Sequence, residues 1–224
     1  MLDSSSPAEP YLLIVYYSAK GSCAALAKTL FDQANLSASK LASVDTQENA
    51  SLNPFKLSVR LRQLPRVSAG FDQEVSAVPA EGPPYCTQDD LANCSGLLLG
   101  TPTRFGNMAA SVKYFLDSSV NAWVNGDLID KPFGLFTSSS SLHGGQESTL
   151  LSAAIPLIHH GMVYVGIPYS EDRLNTTSTG GTPYGSSHLA SEEAGNKLSD
   201  DEIEICRTQA DRIVRMTVRL FQQD

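Results

Sequence analysis

Residues Gly96-Leu-Leu-Leu-Gly-Thr-Pro-Thr-Arg-Phe-Gly-Asn107 pass from an unbroken apolar run straight into a polar, glycine-containing turn. Apolar residues without alternation are what a strand covered on both faces requires, and such strands belong to parallel sheets sandwiched between helices. Two further segments have the same form. Tyr11-Leu-Leu-Ile-Val-Tyr-Tyr17 leads into Ser18-Ala-Lys-Gly-Ser-Cys-Ala24, and Phe133 to Thr137 leads into the Ser/Gly loop Ser138 to Gly145. In an open parallel sheet the binding crevice lies beyond the carboxyl ends of the strands, so the three loops are expected to meet around one ligand.

Working outward, the stretch after Ala24 carries Ala24, Ala27, Leu30 and Phe31 at helical spacing, which predicts a helix to about Asn35. Ser37 to Pro54 turns to Ser, Ala, Asn and Asp and reads as a surface insertion before a strand near Phe55 to Gln63. Ser68 to Pro84 is a second irregular stretch, closed by Gly82-Pro-Pro84. Ala109 to Asp117 places Ala109, Val112, Phe115 and Leu116 on one helical face. Gln146 to His160 reads as a helix with Pro156 as a kink or a new start, and Met162 to Val165 as a strand. Residues 167–199 break the alternation and are expected to be a binding loop or a disordered one; an amphipathic helix follows from about Asp200. The expected fold is one α/β domain over residues 1–224, a doubly wound five-stranded parallel sheet with helices on both faces and insertions near 37–54 and 167–199.

Composition narrows the function. The chain has 224 residues, 16 basic against 24 acidic, for a formal charge of −8, without a basic block, so nucleic acid is not an expected partner. No stretch approaches the ~18 apolar residues of a membrane span, and Met1 to Pro10 lacks a basic signal region, so a cytoplasmic location is expected. Cys23, Cys86, Cys94 and Cys206 have neither metal-binding spacing nor disulfide-scaffold density. His159 and His160 are adjacent, which rules out an i, i+4 metal pair, and no metal is expected.

The chain contains neither G-x-G-x-x-G nor G-x-x-x-x-G-K-[ST]. Its first loop offers Ser18 and Ser22 hydroxyls, a close-approach glycine at Gly21 and a helix N-terminus, which suit a monophosphate. Taken alone, that loop is also consistent with a serine-rich helix cap. A planar redox cofactor such as flavin needs a phosphate anchor, backbone donors to its ring and one open face, and all three loops together favour that ligand.

The segments Tyr16-Tyr-Ser18, Gly100 to Met108, Phe115-Leu-Asp117, His143-Gly-Gly-Gln-Glu147, His159-His-Gly-Met162 and Gly180-Gly-Thr-Pro-Tyr-Gly185 resemble the WrbA family of flavodoxin-like NAD(P)H:quinone oxidoreductases, in order over nearly the whole chain. The resemblance implies a flavodoxin-like fold, bound FMN, a homo-oligomer (dimer or tetramer) and two-electron reduction of quinones by NADH or NADPH. Carried over by position, Ser18, Lys20, Gly21, Ser22 and Cys23 would hold the phosphate. Pro102, Thr103, Arg104, Phe105, Gly106 and Asn107, with Ser138, Ser139, Ser140, Ser141, Leu142, His143 and Gly144, would surround the ring. His159 matches the family's flavin-site histidine, the expected catalytic residue, while Trp123 and Phe105 would face the quinone, Trp123 in a neighbouring subunit's pocket. Where the family often has an aromatic residue followed by Gly-His or Gly-Asn, this chain has Lys20-Gly21-Ser22, and Lys20 would face the extra phosphate of NADPH. Nicotinamide and quinone are expected to use one slot in turn. A flavodoxin-type electron carrier without a small substrate is the alternative, and a ligand-free interaction module a third.

Overall fold

A computed structural model describes residues 9–48, 56–67, 78–192 and 194–221. Strands β1 (Tyr11–Tyr16), β2 (Ser58–Gln63), β3 (Gly96–Pro102), β4 (Pro132–Ser139) and β5 (Val163–Tyr164) form a parallel sheet in the order β2-β1-β3-β4-β5. A sixth strand, β6 (Ser186–Leu189), pairs parallel with the second half of β4, Phe136 opposite Ser186 through Ser139 opposite Leu189. β5 pairs only with Pro132 and Phe133 at the other end of β4. The fifth sheet position is therefore filled in two pieces, and the segment 167–199 is the excursion between them and beyond. Among its described residues are a short helix α6 (Arg173–Thr176) and β6 itself, where the sequence suggested a binding loop or a disordered one.

Helices cover both faces because the strands present apolar side chains alternately to each. Leu12, Ile14, Tyr16, Leu98 and Phe136 pack beneath α1 (Ser22–Glu48) and α7 (Asp200–Phe221). Leu13, Val15, Leu97, Leu99 and Leu135 pack on the opposite side with side chains of α3 (Ala110–Asp117) and α5 (Gln146–His159). The short helices α2 (Gln88–Ala92) and α4 (Val120–Asn125) complete the fold. Burying each of these large side chains contributes about 1.5–3 kcal/mol, enough to pin a register that sets the strand ends level.

Helix α1 runs to Glu48, well past the expected end at Asn35. The serines that suggested a loop bond back into the helix, Ser39 Oγ to the Asn35 carbonyl (2.8 Å) and Ser43 Oγ to the Lys40 carbonyl (2.7 Å). Ala34 and Ala38 pack beside α7, whose Asp211 accepts bonds from Gln33 and Ser37. Residues 49–54 of the first expected insertion, residue 193 of the second, and residues 68–77 of the irregular stretch Ser68 to Pro84 lie outside the described residues. Pro156 sits inside α5, which continues through it.

Candidate functional site

Each strand ends on the same side of the sheet, and the loops that follow β1, β3 and β4 meet there. With Ala190, which follows β6, they enclose a cavity of about 370 Å³ lined by Ser18, Ala19, Lys20, Ser22, Cys23, Pro102, Thr103, Arg104, Ser138, Ser139, Ser140 and Ala190 itself. Ten of these twelve were expected from the sequence. The volume lies within the roughly 300–1,000 Å³ of small-molecule sites. Lys20 and Arg104 are the charged residues in the lining, and it contains no carboxylate.

The first loop is shaped at Gly21, whose φ of +98° suits glycine and whose N–H donates to Ser18 Oγ at 3.1 Å. The Ser18 hydroxyl keeps its own proton for a ligand. Helix α1 starts at the next residue, so its unpaired N–H groups and positive dipole end lie at the cavity. Cys23 is buried, its Sγ 3.2 Å from Ser138 Oγ. Burial pushes its thiol up to about 12, against the opposing pull of the Ser138 hydrogen bond and the Arg104 charge. It is packed as an inert residue.

The second and third loops are tied together. Thr103 N–H donates to the Ser138 carbonyl (2.9 Å), and Thr149 Oγ1 donates to Thr103 Oγ1 (2.8 Å). Gly145, with φ of +92°, leaves no room for a Cβ, which would lie 2.8 Å from the Gly106 Cα. Arg104 and Asn107 close a turn through two backbone bonds of 2.7 and 3.0 Å. Phe105 at its tip has φ of +55° and projects fully into solvent. Beyond the lining set, Phe105, Gly106, Asn107, Ser141, Leu142, His143 and Gly144 form the outer parts of these two loops.

A buried chain of side chains behind the cavity was not foreseen. Ser187 Oγ donates to Gln146 Oε1 (2.6 Å), and Gln146 Nε2 donates to Ser139 Oγ (2.9 Å), whose hydroxyl bonds the Ser141 carbonyl (2.7 Å). Gln146 thus locks the third loop to β6. A second unforeseen group lies below the 189–199 turn. Glu202, 1% exposed, accepts the N–H groups of Gly180, Leu189 and Ser199, each at 2.9 Å, and faces His188 Nδ1 at 2.9 Å. His188 Nε2 lies 3.0 Å from the Gly195 carbonyl. Both ring nitrogens face acceptors, an arrangement that favours the imidazolium form. Burial opposes that charge, but the Glu202 and Gly195 bonds and the Glu202 charge outweigh it and hold His188 above its ordinary value. Burial likewise acts against the Glu202 carboxylate, and the His188, Leu189 and Ser199 donors overcome it and hold Glu202 below the usual carboxylate range.

His159 and Trp123 do not join the loop cavity of their own chain. Helix α5 begins at the cavity with Gln146 and ends at His159, about 20 Å away along the helix axis at 1.5 Å per residue. The two residues sit together instead, Trp123 Nε1 donating to the His159 carbonyl at 3.0 Å, beside a separate recess lined by Leu116, Ser119, Pro156 and His160. The fold therefore does not bring His159 to the loop cavity of its own chain. Trp123 is on helix α4 and is 57% exposed. His160 is the buried one of the pair, its Nε2 2.9 Å from Ser119 Oγ, and burial lowers its proton affinity.

The family model described as NADPH-dependent FMN reductase matches residues 13–171. The chain belongs to this family. Among curated relatives, it is 37% identical to a protein of Solidesulfovibrio magneticus and 38% identical to one of Syntrophobacter fumaroxidans, both named NAD(P)H dehydrogenase (quinone). In both cases the match spans 93% of this chain and 98% of the relative. Among solved structures, the flavodoxin-like WrbA-like protein of Agrobacterium tumefaciens matches with a TM-score of 0.59 at 20% identity, over 94% of this chain and 98% of that one. An archaeal flavodoxin matches at 0.55 and 12%, over 93% and 99%. Those two likenesses establish the flavodoxin-like fold, and the family membership upholds the WrbA-type resemblance of the sequence. Among the described residues of this family member, no helix is long and apolar enough to cross a membrane.

Proposed function

We propose that this protein is an FMN-dependent NAD(P)H:quinone oxidoreductase that moves two electrons from NADH or NADPH to a quinone. The observation that carries the reading is the convergence of the three strand-end loops on one carboxylate-free cavity, in a chain whose overall charge is −8. The residues fit the cofactor. Ser18 offers a free hydroxyl proton, Lys20 a cation and α1 its N-terminal N–H groups to a phosphate, while Thr103, Arg104 and Ser138 to Ser140 wall the space beside it. FMN, when bound, supplies the hydride-accepting and hydride-donating chemistry; the protein supplies position, hydrogen bonds and shelter from water.

The chain would work as a homo-oligomer. Tyr114, Val120, Trp123, Val124, Ile155 and Ile158 on α3, α4 and α5 are each more than half exposed, an apolar face of the kind a second copy covers. Across such a contact, Trp123 and His159 of one subunit would border the cavity of another, where His159 could donate a proton to a quinone oxygen. Nicotinamide and quinone would then occupy one slot in turn, giving ping-pong kinetics. Four free cysteines, three of them buried, suit the reducing cytoplasm.

The purified protein is expected to show a flavin visible spectrum and to consume NADH or NADPH only when quinone is present. Colourless protein that stays colourless with added FMN overturns the cofactor assignment; coloured protein without quinone-dependent turnover overturns the enzyme assignment. Intersecting initial-rate lines with NADH and benzoquinone, where parallel ones are expected, overturn the shared slot.

A further inference from the structure

After β6 the described residues 190–192 and 194–199 lead into α7, and one of their side chains is set on the first loop. Asn196 Nδ2 donates to the Lys20 carbonyl at 2.8 Å, and its Oδ1 accepts the Ser22 hydroxyl at 2.9 Å. A Cβ on Gly21 would lie 2.4 Å from Asn196 Nδ2, so the amide rests directly against the turn. We infer that Asn196 is a positioning residue for the phosphate end of the cofactor, clamping the Ser18–Ser22 loop from the turn after β6, which itself contributes Ala190 to the cavity lining. The inference rests on the FMN reading of that cavity.

The hydrogen bonds say how the clamp would act. Local contacts hold the loop at its two ends, Gly21 N–H on Ser18 Oγ and Ala25 N–H on the Gly21 carbonyl. The Lys20 peptide between them is fixed by a residue 176 positions away. Covering the Lys20 carbonyl keeps that negative dipole end from being unpaired beside an anion. Taking the Ser22 proton leaves the Ser18 hydroxyl, the Lys20 ammonium and the helix N–H groups as the donors to phosphate. The clamp is itself seated: the Gly195 carbonyl beside Asn196 accepts from His188, and Ala194 N–H and Gly195 N–H bond Ser191.

A clamp on the phosphate end has a signature that general packing lacks. The full-length chain and its Asn196→Ala variant are titrated with FMN and with riboflavin, which has the ring but no phosphate, following flavin fluorescence. Losing two neutral hydrogen bonds to the loop should weaken FMN about tenfold while riboflavin changes less than about twofold. Asn196→Asp, which keeps the acceptor but puts a carboxylate where the N–H group was, should weaken FMN further, with riboflavin again unmoved. Equal loss for both flavins, or no loss for either, overturns the inference while FMN binding by the wild type keeps the cofactor reading intact. Wild-type protein that binds neither flavin overturns the cavity assignment and this inference with it.

Discussion

Replacing Glu202 by Gln tests the device that holds β6, the Gly180 turn and the 189–199 turn to α7. The carboxylate takes four donors, the N–H groups of Gly180, Leu189 and Ser199 and the Nδ1–H of His188, with 1% exposure. A glutamine amide has one acceptor oxygen. In its best orientation it keeps Gly180 and Leu189, offers its NH2 to a neutralised His188 and leaves Ser199 N–H without an acceptor. The loss is one orphaned, partly buried donor plus the charge-assisted share of the remaining bonds, about 2–4 kcal/mol, below the full cost of stranding a buried charge because His188 sheds its proton. For a domain of this size that is a fall in Tm on the order of 5–15 °C.

The same pair sets the pH dependence of that loss. His188 is held above its unfolded value, so its stabilisation is complete below the unfolded histidine value and disappears as pH rises through the raised one. Glu202 is held below its unfolded value, so its stabilisation is present above the ordinary carboxylate range and disappears as pH falls through the lowered value. The gap between wild type and Glu202→Gln should therefore be widest from about pH 5 to about pH 6 and shrink on both sides. Urea denaturation across pH, with both proteins in one flavin state because ligand binding adds its own stability, measures it. A gap that is constant with pH, or one below about 1 kcal/mol throughout, refutes the buried charged pair.

Gly21→Ala should cost about 1–3 kcal/mol through its left-handed backbone, and should also displace Asn196; flavin content and denaturation midpoint are the readouts, and a variant equal to wild type in both would contradict the loop geometry. Iodoacetamide at neutral pH should leave Cys23, Cys94 and Cys206 unlabelled in the folded protein and label all four cysteines in denaturant, as mass spectrometry of the peptides would report; burial raises the Cys23 and Cys206 thiols to about 12 and that of Cys94 to about 11. Trp123→Ala should leave the midpoint of unfolding within about 1 kcal/mol while shifting sedimentation toward a smaller species and raising KM for quinone. An unchanged sedimentation coefficient and KM would remove Trp123 from the proposed contact.

The parallel sheet was legible because its central strands are apolar on both faces, so Tyr11 to Tyr16, Gly96 to Leu99 and Phe133 to Thr137 stand out without any knowledge of partners. β6 was not legible. Ser186-Ser-His-Leu189 has the composition of a loop, and it can be buried because Gln209 and Glu202, 23 and 14 positions on, supply its hydrogen bonds. The second half of α1 was hidden for a similar reason, since the Ser-rich stretch from Ser37 is tied to α7 through a bond from Ser37 to Asp211 that no local pattern reveals. The cavity lining was readable from loops that follow strands; Asn196 and Gln146 left no local trace, because what they do depends on distant contacts. His159 is the opposite case. The expected helix from Gln146 already placed it at the far end from the cavity, and the rise per residue alone would have separated the two.

That separation bears on the choice between an enzyme and an electron carrier. A carrier must meet redox partners briefly, and a charged rim around an exposed flavin edge serves that need through steering. Here the net charge is acidic, yet the cavity carries Lys20 and Arg104, and the exposed face of α3, α4 and α5 is apolar. Apolar faces favour lasting contacts over fleeting ones because the water they release returns to them on each dissociation. Phe105 adds to this: an aromatic side chain held fully exposed at positive φ is costly in a monomer and useful as a wall that a second subunit completes. A site finished by another copy of the chain becomes a closed slot for small planar molecules, and a closed slot is of no use to a protein that must present its flavin to other proteins. The same apolar surface that argues for self-association therefore argues for a small-molecule substrate.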